Sequence, residues 1–451
     1  MFSRLQRILQ VWLAEATRRT LVRERPTIVA MTGSVGKSST RQAIAAFLGA
    51  DRKEMAVRAS AKNYNNELGL PLTVFDLEAP GRSPVGWIKL LWRAYITSCG
   101  WRVTGVRTFI LEMGADKQGD IAYLTRIAPP DVAIVTGVTP EDASLPPVHL
   151  AKYPSIGALI EEKSTLVRQV KSGGVVMLNG DDPHVLAMRH LTSAQVHTYG
   201  ETNAADIRIL SRRIKTEERS WGLEPVGLEI HLQIYNRQAR YLIPGVFGRS
   251  IAYAWAAGAG VADALDVSRD ILEGAAAHFH PLPGRTRIIP GRNYVTIFDD
   301  SYNASPAAMM AGLRDVAGVS LHASQRRIAV IGEMREIGET SDAIHRRMGA
   351  EVAYLGLDLF VPCGTFAPAM KESALAHGMK EEQIFVCKDT LDAIPVLEPY
   401  LRPGDVVFAK ASEGRIDSIG VRMERVVKAF MAEPDRAATL LCRQGGSWHR
   451  A

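Results

Sequence analysis

The stretch TGSVGKSS, residues 32–39, holds the residue types best suited to chemistry. A glycine loop leading into a helix aims backbone N–H groups and the positive helix end at an anion. Lys37 adds a mobile positive charge. Ser38, the hydroxyl after it, suits a Mg²⁺ ion held by phosphates. Met31 stands where the longer GxxxxGK[ST] form needs glycine, so this is the shorter GxxGK[ST] form. Gly33, Ser34, Gly36, Lys37, Ser38 and Ser39 are the candidate nucleotide contacts. A plain glycine turn between strand and helix is the alternative.

Further candidates lie downstream. Glu112 directly follows an apolar run, where a carboxylate can face the loop and hold Mg²⁺ directly or through water. His149 sits between prolines in PPVHLAKYP; a lone histidine is more often a surface or packing residue. Lys163 lies in IEEKSTL on a helix, and spacing alone leaves it a solvated lysine beside Glu161 and Glu162. Asp299 and Asp300 end a strand in DDSYNASP, followed by Tyr302 and Asn303, types that suit ribose and base recognition. An Asx-turn helix cap is the alternative there. Similar strand-end loops hold Glu333, then His345, and later Lys410 and Ser412. SAKNYNNELGLP, residues 60–71, with Asn63, Asn65, Asn66 and Gly69, reads as a polar loop with left-handed positions.

These residues need a scaffold. Short apolar strands end at Met31, Leu111, Val135 and Leu178, with helical stretches between them, which is the α/β signature. From Asp206 to Pro244 the period becomes two, predicting antiparallel hairpins. An alanine-rich helix over 251–265 follows, then HPLPGR as a linker. A second series has strands at 294–298, 328–331, 359–362, 384–386 and 406–409. The fold class is α/β. A central P-loop domain over 26–281 has a parallel sheet and a small antiparallel element. A Rossmann-like α/β domain over 282–436 follows, with a basic amphipathic helix over 1–25 before them and a frayed tail over 437–451.

Hydrophobic content of 47% and charged content of 23% over 451 residues suit a soluble globular chain of two to three domains. Four scattered cysteines argue against a disulfide framework and fit a reducing, cytoplasmic compartment. Net charge is +6, and the first 25 residues hold six arginines against Glu15 and Glu24. No spanning helix or secretory signal is read. Residues 1–25 read as a helix packed on its own domain or lying on a membrane. Residues 83–105, rich in tryptophan, read as a core helix or an interfacial patch that joins them there, at the inner face of the membrane.

In order, TGSVGKSST, KNYNNELGLP, LEMGADKQGDI, VHL with EEK fourteen residues after the histidine, PLPGR, DDSYNASP, VIGEMREIGETSDAIH and KASEGRIDSIGVRME resemble the Mur ligase family. DDSYNASP and GEMREIGE point to its MurF branch, which adds D-alanyl-D-alanine to a UDP-muramoyl tripeptide in peptidoglycan synthesis. The resemblance implies an ATP-dependent ligase working through an acyl phosphate, with two Mg²⁺ ions. Lys37 and the loop amides would hold ATP phosphates, and Ser38 and Glu112 one Mg²⁺. His149 and a carbamylated Lys163 would serve the second. Asn65 and Asn66 would lie on the substrate side. Arg285, Asp300, Tyr302 and Asn303 would reach ATP on closure, with Lys410 and Ser412 facing the cleft.

The chain departs from the family in two places. Only about 25 residues precede the P-loop strand, too few for the UDP-gripping N-terminal domain. Arg249, Ser250 and Tyr253 stand where the family carries His-Asn and a second Asn near adenine. A lipid-linked acceptor is therefore the alternative substrate, and a non-catalytic P-loop module the alternative class. Nucleic acid is not an expected partner, since no recognition motif accompanies the basic N-terminus.

Overall fold

The computed structural model describes residues 2–60, 64–81, 83–140, 142, 144–148, 150–335, 337–413 and 421–445, apart from the side chains of 2–7 and Ala151. The run TIVAMT forms β1 (Thr27–Thr32), and its residues are buried on both faces. Val29 and Met31 pack into one core, and Ile28 and Ala30 into another. Such a strand sits at the centre of a parallel sheet.

Nine strands build that sheet: β1, β2 (Val57–Ala59), β3 (Thr108–Glu112), β4 (Val132–Val135), β5 (Val175–Asn179), β6 (Gln195–Gly200), β7 (Ile207–Arg219), β8 (Gly222–Ile234) and β9 (Arg237–Pro244), in the order β2-β3-β1-β4-β5-β6-β7-β8-β9. Pairing is parallel from β2 to β7 and antiparallel across β7, β8 and β9, as the period-two pattern predicts. β1 lies between β3 and β4, so the chain leaves it at the point where strand order reverses. Ligands in open α/β sheets bind at that crevice.

Helices cover both faces. On one side lie α1 (Phe2–Glu24), α3 (Gly69–Phe75), α4 (Pro84–Ser98), α5 (Asp120–Ile127), α6 (Ile156–Arg168) and α7 (Pro183–Ala187). On the other lie α2 (Lys37–Phe47), the alanine-rich α8 (Arg249–Ala264) and α9 (Arg269–Gly274). There Trp255 packs fully buried against Phe47, ring centroids 4.5 Å apart. The inner half of α1 is core: Leu13, Ala14, Ala16, Thr17, Thr20 and Leu21 are all buried.

The second sheet contains β10 (Arg287–Pro290), β11 (Thr296–Asp299), β12 (Arg327–Ile331), β13 (Leu359–Pro362) and β14 (Val406–Lys410), ordered β10-β11-β14-β12-β13. Only the β10–β11 pair is antiparallel. α10 (Pro306–Ala317) packs on one face, with Ser305 accepting from Ala308 N at 3.4 Å and Pro306 at its first turn. The two sheets are tied directly. Trp221, in the β7–β8 turn, stacks on Tyr294 with centroids 4.1 Å apart. The Gln325 amide accepts from Leu223 N at 2.8 Å and donates to Leu223 O and Gly404 O.

Several expectations need correction. Residues 384–386 are not a strand. Ile384 and Cys387 each make one isolated bridge to Phe360 and Cys363. Pro362, lying between those two partners, has no N–H to donate, so the ladder breaks. The frayed tail is packed as far as the structure describes it. Leu441 and Cys442 are buried, and Arg443 donates to Ser301 O and Tyr302 O. In 60–71, no described residue takes a positive φ. Gly69 is small there because Tyr64 crosses it: a Cβ would lie 2.5 Å from the Tyr64 backbone. Strands β2, β6 and β10 were not expected.

Candidate active site

Backbone geometry makes the phosphate loop. Gly36 caps α2 at φ 83°, a left-handed conformation open to glycine. No side chain caps the helix, so its first N–H groups stay available to an anion. Gly33 has φ 149°, and a Cβ on it would fall 2.1 Å from Thr136 Oγ1. That hydroxyl, just past the end of β4, donates to Val35 O at 2.5 Å, and Ser34 N donates to Gly137 O at 2.7 Å. The loop is thus clamped to the neighbouring strand end. Lys37 folds back over it, its Nζ donating to Gly33 O at 2.5 Å. Burial pushes Lys37 down to about 8, against the pull of Glu112.

Glu112 ends β3 in register with Met31, which brings its carboxylate beside the loop. It is buried. Ser38 Oγ donates to its Oε2 at 3.4 Å, and Arg41 Nη1 pairs with its Oε1 at 3.0 Å. The hydroxyl and carboxylate are hard oxygen donors that converge, as Mg²⁺ requires. Among the described residues no group of three or more His, Cys, Asp or Glu could hold a metal ion. The Ser38 hydroxyl and Glu112 carboxylate fit Mg²⁺ shared with substrate phosphates, the usual arrangement for that ion.

Lys163 departs most from its bland reading. It is fully buried on α6, and its Nζ has no hydrogen-bond partner among the described residues. Burial, reinforced by the charge on Lys37, pushes it down to about 7. Neighbouring Glu162 is not solvated either. It accepts from Gly119 N and Ile121 N, both at 2.7 Å, and so holds the start of α5. Only Glu161 faces water, paired with Arg168. Asp116, in the loop after β3, pairs with Lys152 at 2.8 Å, and its charge acts on both Lys37 and Lys163. Asn65 lies at the same edge, its carbonyl accepting from Gly114 N at 2.8 Å. The Asn66 side chain accepts from Gly69 N at 2.9 Å and starts α3. His149 lies outside the described residues.

Across from the loop, the Arg285 guanidinium lies over the Tyr302 ring at 4.2 Å, and its charge acts on Lys37 and Arg41. Asp300 accepts from Thr286 N at 3.2 Å and pairs with Lys410, whose Nζ also donates to Asn303 O at 2.9 Å. Ser412 Oγ donates to Ala304 O at 2.7 Å and accepts from Arg335 N. Lys410 and Ser412 thus brace the 300–304 loop from within. Asp299 is buried behind it, and desolvation raises it to about 6. At the start of α8, Tyr253 donates to Asp181 Oδ2 at 2.6 Å, and Arg249 pairs with Glu201 at 2.9 Å.

Arg41 and the clamping role of Thr136 escaped the sequence reading, and Glu162, which holds the start of α5, reads there only as a neighbour of a solvated lysine. Arg41 carried one usable signal: it lies one helical turn after Lys37, on the side a strand-end acid must face.

Comparisons with known proteins agree with this geometry. Residues 31–241 match the Mur ligase middle domain, and residues 284–413 match the Mur ligase, glutamate ligase domain. The chain is 32% identical over 428 residues to the UDP-N-acetylmuramoyl-tripeptide--D-alanyl-D-alanine ligase of Mycobacterium tuberculosis (strain CDC 1551 / Oshkosh), covering 89% of this chain and 73% of that one. It is 25% identical over 430 residues to the Bacillus subtilis (strain 168) ligase of the same name, covering 95% and 79%. Its fold resembles a Thermotoga maritima MurF ligase solved in complex with ADP, with TM-score 0.69, 23% identity and coverage of 95% and 84%. A MurF structure from Acinetobacter baumannii gives TM-score 0.68, 20% identity and coverage of 93% and 79%.

Proposed function

This chain belongs to the Mur ligase family, and from that membership and the site geometry we propose an ATP-dependent ligase of peptidoglycan precursor synthesis. It joins D-alanyl-D-alanine to the peptide carboxylate of a muramoyl tripeptide, the reaction named for its curated relatives. The observation that carries the reading is Lys163. A P-loop that only binds nucleotide has no use for a buried amine beside its lysine with no partner among the described residues.

The residues divide the work. Loop amides and Lys37 orient the ATP phosphates, and Arg285, Asp300, Tyr302 and Asn303 approach the nucleotide from the second domain. The acceptor carboxylate attacks the γ-phosphorus, ADP leaves, and an acyl phosphate forms. The incoming amine then attacks the acyl carbon, and phosphate departs from the tetrahedral intermediate. Lys37 offsets charge on the transferring group. Mg²⁺ ions, when bound, neutralise phosphoryl and oxyanion charge; Ser38 and Glu112 would hold one, and His149 with a carbamylated Lys163 a second. Lys163 suits that modification because a neutral amine can add to CO₂, while a protonated one cannot. Asn65 and Asn66 serve the acceptor side. Closure of residues 282–436 over 26–281 keeps water from the acyl phosphate. The membrane contact expected of residues 1–25 and 83–105 is independent of this chemistry and rests on the exposed face of α1 and α4.

The test is phosphate release with product mass detection across UDP-linked and lipid-linked muramoyl tripeptides. Turnover should need both an acceptor and D-alanyl-D-alanine. ATP turnover unmoved by every pairing would overturn the assignment.

A further inference from the structure

α4 is apolar on its outer face as well as its inner one. Leu90, Ala94 and Thr97 face inward, as expected. The outward stripe is Val85, Ile88, Trp92 and Tyr95, at helical spacing, and all four are exposed. Beyond the helix, Trp101 and Val103 are exposed as well, at 72% and 66%. The rings form a chain: Trp92 lies 6.1 Å from Tyr95, which meets Trp101 edge-on at 5.8 Å. α1 packs beside α4, with Arg23 donating to Ser98 O at 2.9 Å. It adds Ile8, Val11 and Trp12 to the exposed surface. Of the eighteen exposed large apolar residues among those described, ten fall on these two helices and the turn after α4. A soluble surface seldom gathers them so, and such a patch marks an interaction site.

Charge narrows the partner. Segments 1–25 and 83–107 hold ten arginines and lysines against two glutamates, although the whole chain is only +6. Both glutamates are engaged, Glu15 by Arg18 and Arg19, and Glu24 by Arg23 and Thr104. Lys89 and Arg102 are exposed beside the tryptophans. A second copy of the chain would bring the same sign to the contact, which disfavours self-association. Tryptophan and tyrosine among basic residues suit the headgroup region of an anionic bilayer. Among the described residues no helix is long and apolar enough to cross a membrane.

We propose that the α1–α4 face docks the protein peripherally on an anionic lipid surface, with the Trp92–Tyr95–Trp101 ring chain entering the headgroup layer and Lys89 and Arg102 meeting lipid charge. Contact through basic residues weakens as salt screens it, and contact through rings does not.

The experiment is co-sedimentation of the full chain with vesicles of phosphatidylglycerol and phosphatidylcholine, against pure phosphatidylcholine. Pelleting should favour the anionic vesicles at least tenfold and fall several-fold in about 0.5 M salt. Tryptophan emission should shift to the blue on binding. The exposed variants Trp92→Ser/Trp101→Ser and Lys89→Glu/Arg102→Glu should each lose most of the binding and keep the native circular dichroism spectrum. Equal soluble fractions with and without anionic vesicles would overturn the proposal. So would variants that bind like the parent, or light scattering that shows a dimer which the same substitutions dissociate. Ligase turnover on soluble acceptor is measured in parallel, so failure of docking and failure of the catalytic reading are separately visible.

Discussion

Arg41 and Glu112 form a buried ion pair at 3.0 Å, each side chain 1% exposed, one turn beyond the P-loop lysine. The guanidinium holds the carboxylate that Ser38 also touches, so the pair fixes this acid beside the phosphate loop. Removing one partner strands the other charge in a dry site, a loss of about 3–5 kcal/mol. Arg41→Met should therefore lower urea-unfolding stability by about that amount. Arg41→Met combined with Glu112→Gln should cost clearly less than the sum of the single changes. Additive costs would mean that the two residues do not act as a pair.

Lys163 sets a pH dependence. Its ammonium is pushed from the usual lysine range to about 7 by burial and by Lys37. Its neutral fraction therefore rises as pH passes upward through about 7, and only that form adds to CO₂. With ¹³C-bicarbonate, a carbamate resonance should grow between about pH 6 and pH 8. Lys163→Ala should lack it, lose ligation and still bind ATP within a few-fold. A signal that persists in the variant would place the carbamate elsewhere.

The parts of this protein written into local sequence were legible, and the parts made by packing were not. A P-loop, a strand-end acid such as Glu112 and the period-two hairpins each occupy a few consecutive residues. The burial of Lys163 depends on α6 lying inside the sheet's helical layer, and its own neighbours, two glutamates, argue for water. Only the structure separates them, with Glu162 holding the α5 start and Glu161 facing out. The lost strand at 384–386 has the same origin, since its cause, Pro362, lies about twenty residues earlier in the partner strand. Lys410 and Ser412 were legible as strand-end residues, but their inward bracing of the 300–304 loop was not.

That bracing predicts a split effect. Lys410 holds Asp300 and the Asn303 carbonyl, and so shapes the loop that carries Tyr302 under Arg285. Lys410→Met should cost about 2–3 kcal/mol in unfolding and weaken ATP binding roughly tenfold, read by calorimetry. The phosphate loop stays intact, so the variant's tripolyphosphate affinity should change little. Equal losses for both ligands would point to global damage rather than a loop effect.

Asp315 on α10 makes an electrostatic tie between the two sheets' layers. Its carboxylate pairs with Arg212 of β7 at 2.7 Å and accepts from Arg249 N, at the start of α8, at 3.0 Å. Desolvation raises it from the usual carboxylate range, and Arg212 and the Arg249 N–H pull the other way. Asp315→Ala removes the acceptor from a part-buried guanidinium, which keeps Glu201, and from a helix-start N–H together. Thermal unfolding should then fall by about 2–4 kcal/mol equivalent. Trp221→Ala, which removes the stack on Tyr294, leaves each core untouched and should cost less, about 1 kcal/mol. Combined, the two changes free residues 282–436 to swing, and small-angle scattering should show a larger radius of gyration that ATP partly reverses. An unchanged radius in the double variant would show that the remaining contacts, among them Gln325 to Leu223 and Gly404, Arg347 to Asp142 and Phe247 on Phe298, hold the sheets together.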